Sequence, residues 1–143
     1  MNYNIVDNKI KNNFHNSNIV HVVHQYTSNF TLLKTDSGAS KHFLKQTNTN
    51  ILKSINKTNP MSVILPNKKK LLSKTSGQLQ LHPSITKPAS TAHVLPGMTN
   101  SSLLFIGQLC DDDCIAVFHK LHLNIFKTSK TIFQGMRNST DGL

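Results

Sequence analysis

Hydrophobic positions along this chain come in short runs, each cut off by turn-forming residues. NFTLLKT (29–35), MSVIL (61–65), TAHVL (91–95), SLLFIG (102–107), IAVF (115–118) and LHLNIF (121–126) are such runs. The end of LLSKTSGQLQL (71–81) alternates apolar and polar residues, as a strand with one buried face does. In LHLNIF, Leu121, Leu123 and Ile125 fall on one face. TIFQG (131–135) adds a last strand, and ILKSI (51–55) reads as a short helix or a strand. PNKKK (66–70), HPSITKP (82–88) and PGMTN (96–100) supply the breaks through Pro, Asn and Gly. No long amphipathic helix and no internal repeat is visible. Short strands between turn signals predict an all-β domain.

The first 28 residues differ in texture. They are rich in Asn, with His15, His21 and His24 interspersed and one apolar patch, IVHVV. They predict a loosely ordered polar leader holding one strand at most, with a single domain over 29–143. The 143-residue length suits one domain and not comfortably two. No apolar stretch reaches the ~18 residues that span a membrane, and the N-terminal stretch lacks a signal-peptide core. The expectation is an intracellular, cytoplasmic protein without a membrane partner. Cys110 and Cys114 lie too close together for a disulfide framework and read as reduced packing residues.

Charge adds one constraint and one alternative. Lys and Arg number 16 against 6 acids, a net +10, which suits anionic partners and keeps a basic nucleic-acid-binding protein open as an alternative. Aromatic residues are few and show no stacking-platform spacing, which argues against that alternative. All six acids are Asp: Asp7, Asp36, Asp111, Asp112, Asp113 and Asp141.

One acid stands in a chemically suggestive loop. DSGAS (36–40) follows a strand-like run. Hydrolysis of a peptide by carboxylates needs one ionised group to take a proton from water and one protonated group to polarise the carbonyl. Two carboxyls about 3 Å apart share one proton and meet both needs; aspartic proteases are the handled case of this principle. Asp36 supplies one carboxylate. Ser37 offers a hydroxyl, Gly38 lets the backbone approach, and Ala39 is small enough for a crowded site. The tripeptide alone is more often a plain turn or helix cap.

The surrounding blocks are more specific. LLKTDSGASKHFL, MSVILPNKKKLLSKTSGQLQL and AHVLPGMTNSSLLFIGQLCDDDCIAVF resemble, in order and spacing, the protease region of copia-type retrotransposon Gag-Pol polyproteins. The resemblance covers roughly residues 30–143. It implies a retropepsin-like fold, a small closed β domain (an acid protease half-barrel) active as a homodimer. Asp36 is then the catalytic aspartate, supported by Ser37, Gly38 and Ala39 and, from behind, by Ile106 and Gly107. Pro66 and Asn67 fall where a substrate-covering flap is expected, with Gly77 as an alternative bend. The implied partners are a second copy of the chain and a polyprotein substrate, with nucleic acid reached only through the parent polyprotein, cytoplasmically or in virus-like particles. The implied polyprotein continues past DGL towards an integrase. No cofactor and no metal is implied. Lys68 stands where the family's LPNG turn has Gly, the cysteines enclose DDD, and Phe105 stands where Ser is usual. A catalytically inactive remnant that dimerises or binds peptides is the alternative within this family.

Other groupings carry blander expectations. Cys110, Cys114, His119 and His122 are ligand types, but their spacing fits no common zinc module, and packing is expected. The three consecutive aspartates at 111–113 read as a solvated turn, and the lysines at 68–70 as an exposed one. His42, six positions after Asp36, is placed near enough to face a cleft, as a bystander rather than a base.

Overall fold

A computed structural model describes residues 3–7, 22–23, 30–31, 33–99 and 101–137. His15, His21, His24 and the rest of the expected leader lie outside them, apart from two short segments. Tyr3–Asp7 forms β1, and Val22–Val23 (β2) pairs with Phe30–Thr31 (β3). The chain continues with Leu33–Asp36 (β4) and His42–Lys45 (β5). A 3-10 turn over Gln46–Ile51 leads into the long strands Leu52–Ile64 (β6) and Lys70–Leu79 (β7). Then follow Lys87–Ser90 (α1), Thr91–Leu95 (β8), Ser102–Phe105 (β9) and Ile106–Cys110 (α2). Ile115–Phe118 (β10), His122–Lys127 (β11) and Lys130–Arg137 (β12) complete it. The protein is thus mostly β, as the pattern of short runs implies. No described helix is long and apolar enough to cross a membrane.

Ten strands form one sheet, in the order β10-β11-β12-β1-β4-β9-β5-β8-β7-β6. The β4–β9 and β5–β8 pairs are parallel and the other ladders antiparallel. β1 lies inside the sheet, in register with β12 from Tyr3↔Arg137 to Asp7↔Phe133. Residues 3–7 therefore depart from the loose leader expected of 1–28: the strand sits between β12 and β4, where both ladders meet its backbone donors and acceptors.

The hydrogen-bonded order is an open ladder, whereas the resemblance implies a closed domain. Its β6 edge is blunted by exposed Lys53, Lys57 and Pro60, residues that discourage pairing with another chain. The β10 edge instead exposes Ile115, Val117 and Phe118.

Two apolar clusters hold the sheet. The larger gathers Leu33, Leu44, Leu104, Leu123, Ile125 and Ile132, each nearly or fully buried. The smaller joins Phe43, Leu71, Leu95 and Met98, with Ala39 and Leu103 packed against it. Three expected boundaries shift. SLLFIG stops being strand at Phe105, because α2 begins at Ile106. Leu121 precedes β11 and is 64% exposed, so only Leu123 and Ile125 of the expected face are buried. ILKSI resolves as the start of β6, after Ile51.

Candidate active site

Strand alternation builds the site. β9 is inserted between β4 and β5, which the DSGAS loop connects. The register pairs Lys34 with Leu103, Asp36 with Phe105, and Phe43 with Leu103. Side chains two apart share a face. One face of these three strands therefore carries Leu33, Thr35, His42, Leu44, Ser102 and Leu104, all buried at 1% exposure or less. The other carries Lys34, Asp36, Phe43, Lys45, Leu103 and Phe105, and this face forms the floor of a cleft.

Asp36 ends β4 half-buried, with its carboxylate held by its own loop: the Gly38 N–H donates to Oδ1 at 2.7 Å. A Cβ on Gly38 would stand 3.3 Å from that oxygen, so a side chain there would crowd the carboxylate. Ser37 is exposed on the loop, and Ala39 packs under the smaller cluster. Ile106 anchors the far side in the main core. Gly107 lies under the Phe105 ring, whose Cζ would be only 2.3 Å from an added Cβ. Phe105, not Gly107, is the register partner of Asp36.

The β6–β7 hairpin roofs the cleft. Its turn is closed by Lys68 N–H to the Leu65 carbonyl (2.8 Å) and Leu65 N–H to the Lys69 carbonyl (2.9 Å). Pro66 and Asn67 are the turn's centre, and Asn67 Oδ1 accepts the Lys69 N–H at 3.0 Å. Lys68 takes φ +65°, the left-handed conformation that glycine adopts most easily. The turn thus keeps its shape without the glycine of the LPNG pattern. Gly77 is not at this bend. It lies within β7, paired with Ala92, where a Cβ would meet the Lys53 carbonyl oxygen at 3.0 Å beside an irregularity in β6. Its lack of a side chain serves that close approach.

Between floor and roof lie two adjoining cavities of about 520 and 340 Å³, both bordered by Asp36, Leu65, Pro66, Met98 and Leu103. Gly38 and Ala39 line the smaller one, while Lys34, Lys45, Thr99 and Ser101 line the larger. Asp36 is the only carboxylate in either lining. The structure therefore brings Asp36, Gly38, Ala39 and Pro66 together, sets Ile106 and Gly107 behind them, and leaves Gly77 apart. Sequence reading passes over Lys34, Lys45, Met98 and Leu103. The i±2 spacing of Lys34 from Asp36 is the signal that points to the first.

His42 faces the core and not the cleft, contrary to its expected place. Its Nδ1 accepts the Phe105 N–H at 2.9 Å, which leaves Nε2–H to donate to the Ala89 carbonyl at 2.7 Å. Burial dominates and holds its pKa down to about 4, against a raising hydrogen bond from Ala89 and with a smaller lowering from His93. The His42 N–H donates to Gln108 Oε1 at 3.1 Å, and Gln108 Nε2 in turn donates to the Pro88 and Thr91 carbonyls. The imidazole and Gln108 thereby tie α1, α2, β5 and β9 together behind the loop.

The remaining candidates are structural. Cys110 is exposed at the end of α2, and Cys114 is buried in the main core, its thiol pushed up chiefly by burial. They flank the helix end and its turn rather than a hairpin. The His119 and His122 rings stack with centroids 4.2 Å apart. Among the described residues, no three His, Cys or Asp side chains are grouped to hold a metal. Within the aspartate triplet, Asp112 is far from a purely solvated residue: it accepts from Lys127 Nζ (2.5 Å), Thr86 Oγ1 (2.6 Å) and Thr86 N–H (3.0 Å). Burial alone would raise its carboxyl, but these bonds outweigh it and hold the pKa down to about 2. Compared with models of protein families, with curated proteins and with solved structures, the chain matches none.

Proposed function

We propose that this chain is a retropepsin-like aspartic endopeptidase of a copia-type retroelement polyprotein, acting as a homodimer. One observation carries the reading: Asp36 is the lone carboxylate on the floor of a roofed cleft, held by the N–H of its own DSG loop. A single carboxylate does half of the chemistry, so two copies each supply Asp36 across a two-fold axis. The ionised member takes a proton from water as the water oxygen attacks the scissile carbonyl carbon. The protonated member gives its proton to the carbonyl oxygen. Return of a proton to the amide nitrogen then breaks the C–N bond and releases acid and amine. The β6–β7 hairpin covers an extended substrate, bound by strand-like backbone hydrogen bonds. Asp36→Asn keeps the shape and removes the charge. We expect it to abolish cleavage of a flanking polyprotein segment, followed by mass spectrometry. Undiminished cleavage in that variant rules the reading out.

The second reading is a dimerising or peptide-binding module without catalysis. It is favoured by the absence of any second carboxylate in the cleft lining of one chain. A chain that binds peptides and stays monomeric at all concentrations while cleaving nothing supports this reading instead.

A further inference from the structure

The larger cavity beside Asp36 has an unusual lining for a peptide cleft. Leu65, Pro66, Met98 and Leu103 make it apolar, yet Lys34 and Lys45 also border it. Both lysines are half-buried. Both belong to the floor face by register: Lys34 opposes Leu103, and Lys45 follows Phe43 by two, with its N–H on Ser102 Oγ at 2.9 Å. Lys34 stands one two-residue step from Asp36 along the strand, roughly 7 Å, and Lys45 lies a further step away.

Charge does not balance there. Two ammonium groups and one carboxylate line the cavity, and a shared proton in an Asp36 pair would lower the negative charge further. Asp112, the best-anchored acid, is committed to Lys127 and Thr86 at a different place in the fold. The roof adds Lys68, Lys69 and Lys70 at its turn. A half-buried ammonium favours a counter-charge, and nothing in the lining except Asp36 provides one.

We propose that Lys34 and Lys45 form a carboxylate-binding subsite beside Asp36, so that the preferred occupant of the cleft is an extended, mainly apolar peptide carrying an acidic side chain within a few residues of the bond at Asp36. This rests on reading the cleft as a peptide site and adds the chemistry of one of its subsites.

The test uses the full chain with Asp36→Asn, which binds without cutting. The probes are a set of apolar hexapeptides with one Glu moved through each position, and the same set with Gln. At low salt the best Glu peptide is expected to bind about tenfold tighter than its Gln twin, the size of one well-placed, partly desolvated charge pair. The advantage disappears in Lys34→Gln/Lys45→Gln, and Lys45→Glu shifts preference towards peptides carrying Lys. Thermal melts of the variants confirm that they fold. Equal affinity for the two sets, no binding of either, or a Glu preference that survives the double lysine replacement overturns the proposal. Asp36-dependent cleavage that ignores Glu removes this inference and leaves the protease reading intact. A Glu preference in a chain that never cleaves does the reverse.

Discussion

His42 carries the clearest chemical consequence of any single residue. A free imidazole titrates near 6.5, and this one near 4, because burial disfavours the cation. Protonation would also set an N–H at Nδ1 against the Phe105 N–H that now donates to it. Between these two values the unfolded chain binds a proton that the folded chain does not. Stability is therefore full above pH 6.5, falls as the pH drops, and levels off below about 4. The span corresponds to roughly 3 kcal/mol at most, at ~1.4 kcal/mol per pKa unit. His93, lowered first by burial and then by Lys41, adds to the same slope. Asp112 acts only lower, between its ordinary 3.8 and about 2. Urea midpoints measured from neutral pH down to pH 4 should fall steadily in the wild-type chain. His42→Gln keeps a donor and an acceptor without titrating and should flatten most of that fall; an unchanged slope would refute the assignment.

At the level of elements, the floor depends on how α2 abuts β9. Gly107 leaves no room for a Cβ under the Phe105 ring, so Gly107→Ala must push the ring off its seat beside Asp36. Overpacking of this kind costs about 1–3 kcal/mol. Phe105→Ala should cost stability on its own, yet the double variant should lose less than the sum of the two. A double-mutant cycle on unfolding free energies, with a coupling of about 1 kcal/mol, is the expected result; strict additivity contradicts the contact. Much of the site was legible in the chain: DSGAS as a loop after a strand, Pro66 and Asn67 as a turn, and the LLFIG run close behind. Two things were not. The insertion of β9 between β4 and β5 is a long-range pairing with no local signature in SLLFIG. The facing of His42 is fixed only once Phe43 is known to oppose Leu103, because alternation assigns faces relative to a register that the residues themselves do not state. Gly77 was misread for a similar reason, since a glycine that admits a bulge and one that makes a bend look alike in sequence.

For the whole molecule, net charge sets the terms of assembly. Two chains at +10 each repel, and salt screens that repulsion over about 10 Å or less. Sedimentation equilibrium should therefore show homodimer affinity rising between about 0.05 M and about 0.5 M ionic strength. Binding of acidic peptides should weaken over the same range. A dimer that loosens with salt would mean that attraction between opposite charges holds the interface. The inserted β9 also orders events in time. β4 and β5 emerge early and are joined by the Asp36 loop, but they cannot form the floor until β9 slides between them. The whole β6–β7 hairpin and β8 are made in that interval, at a pace of about 5–20 residues per second during synthesis. A nascent chain that has not passed Phe105 thus displays the aspartate loop with no floor beneath it. Any chemistry at Asp36 is switched on by the completion of translation through β9, which spares the growing chain from its own activity.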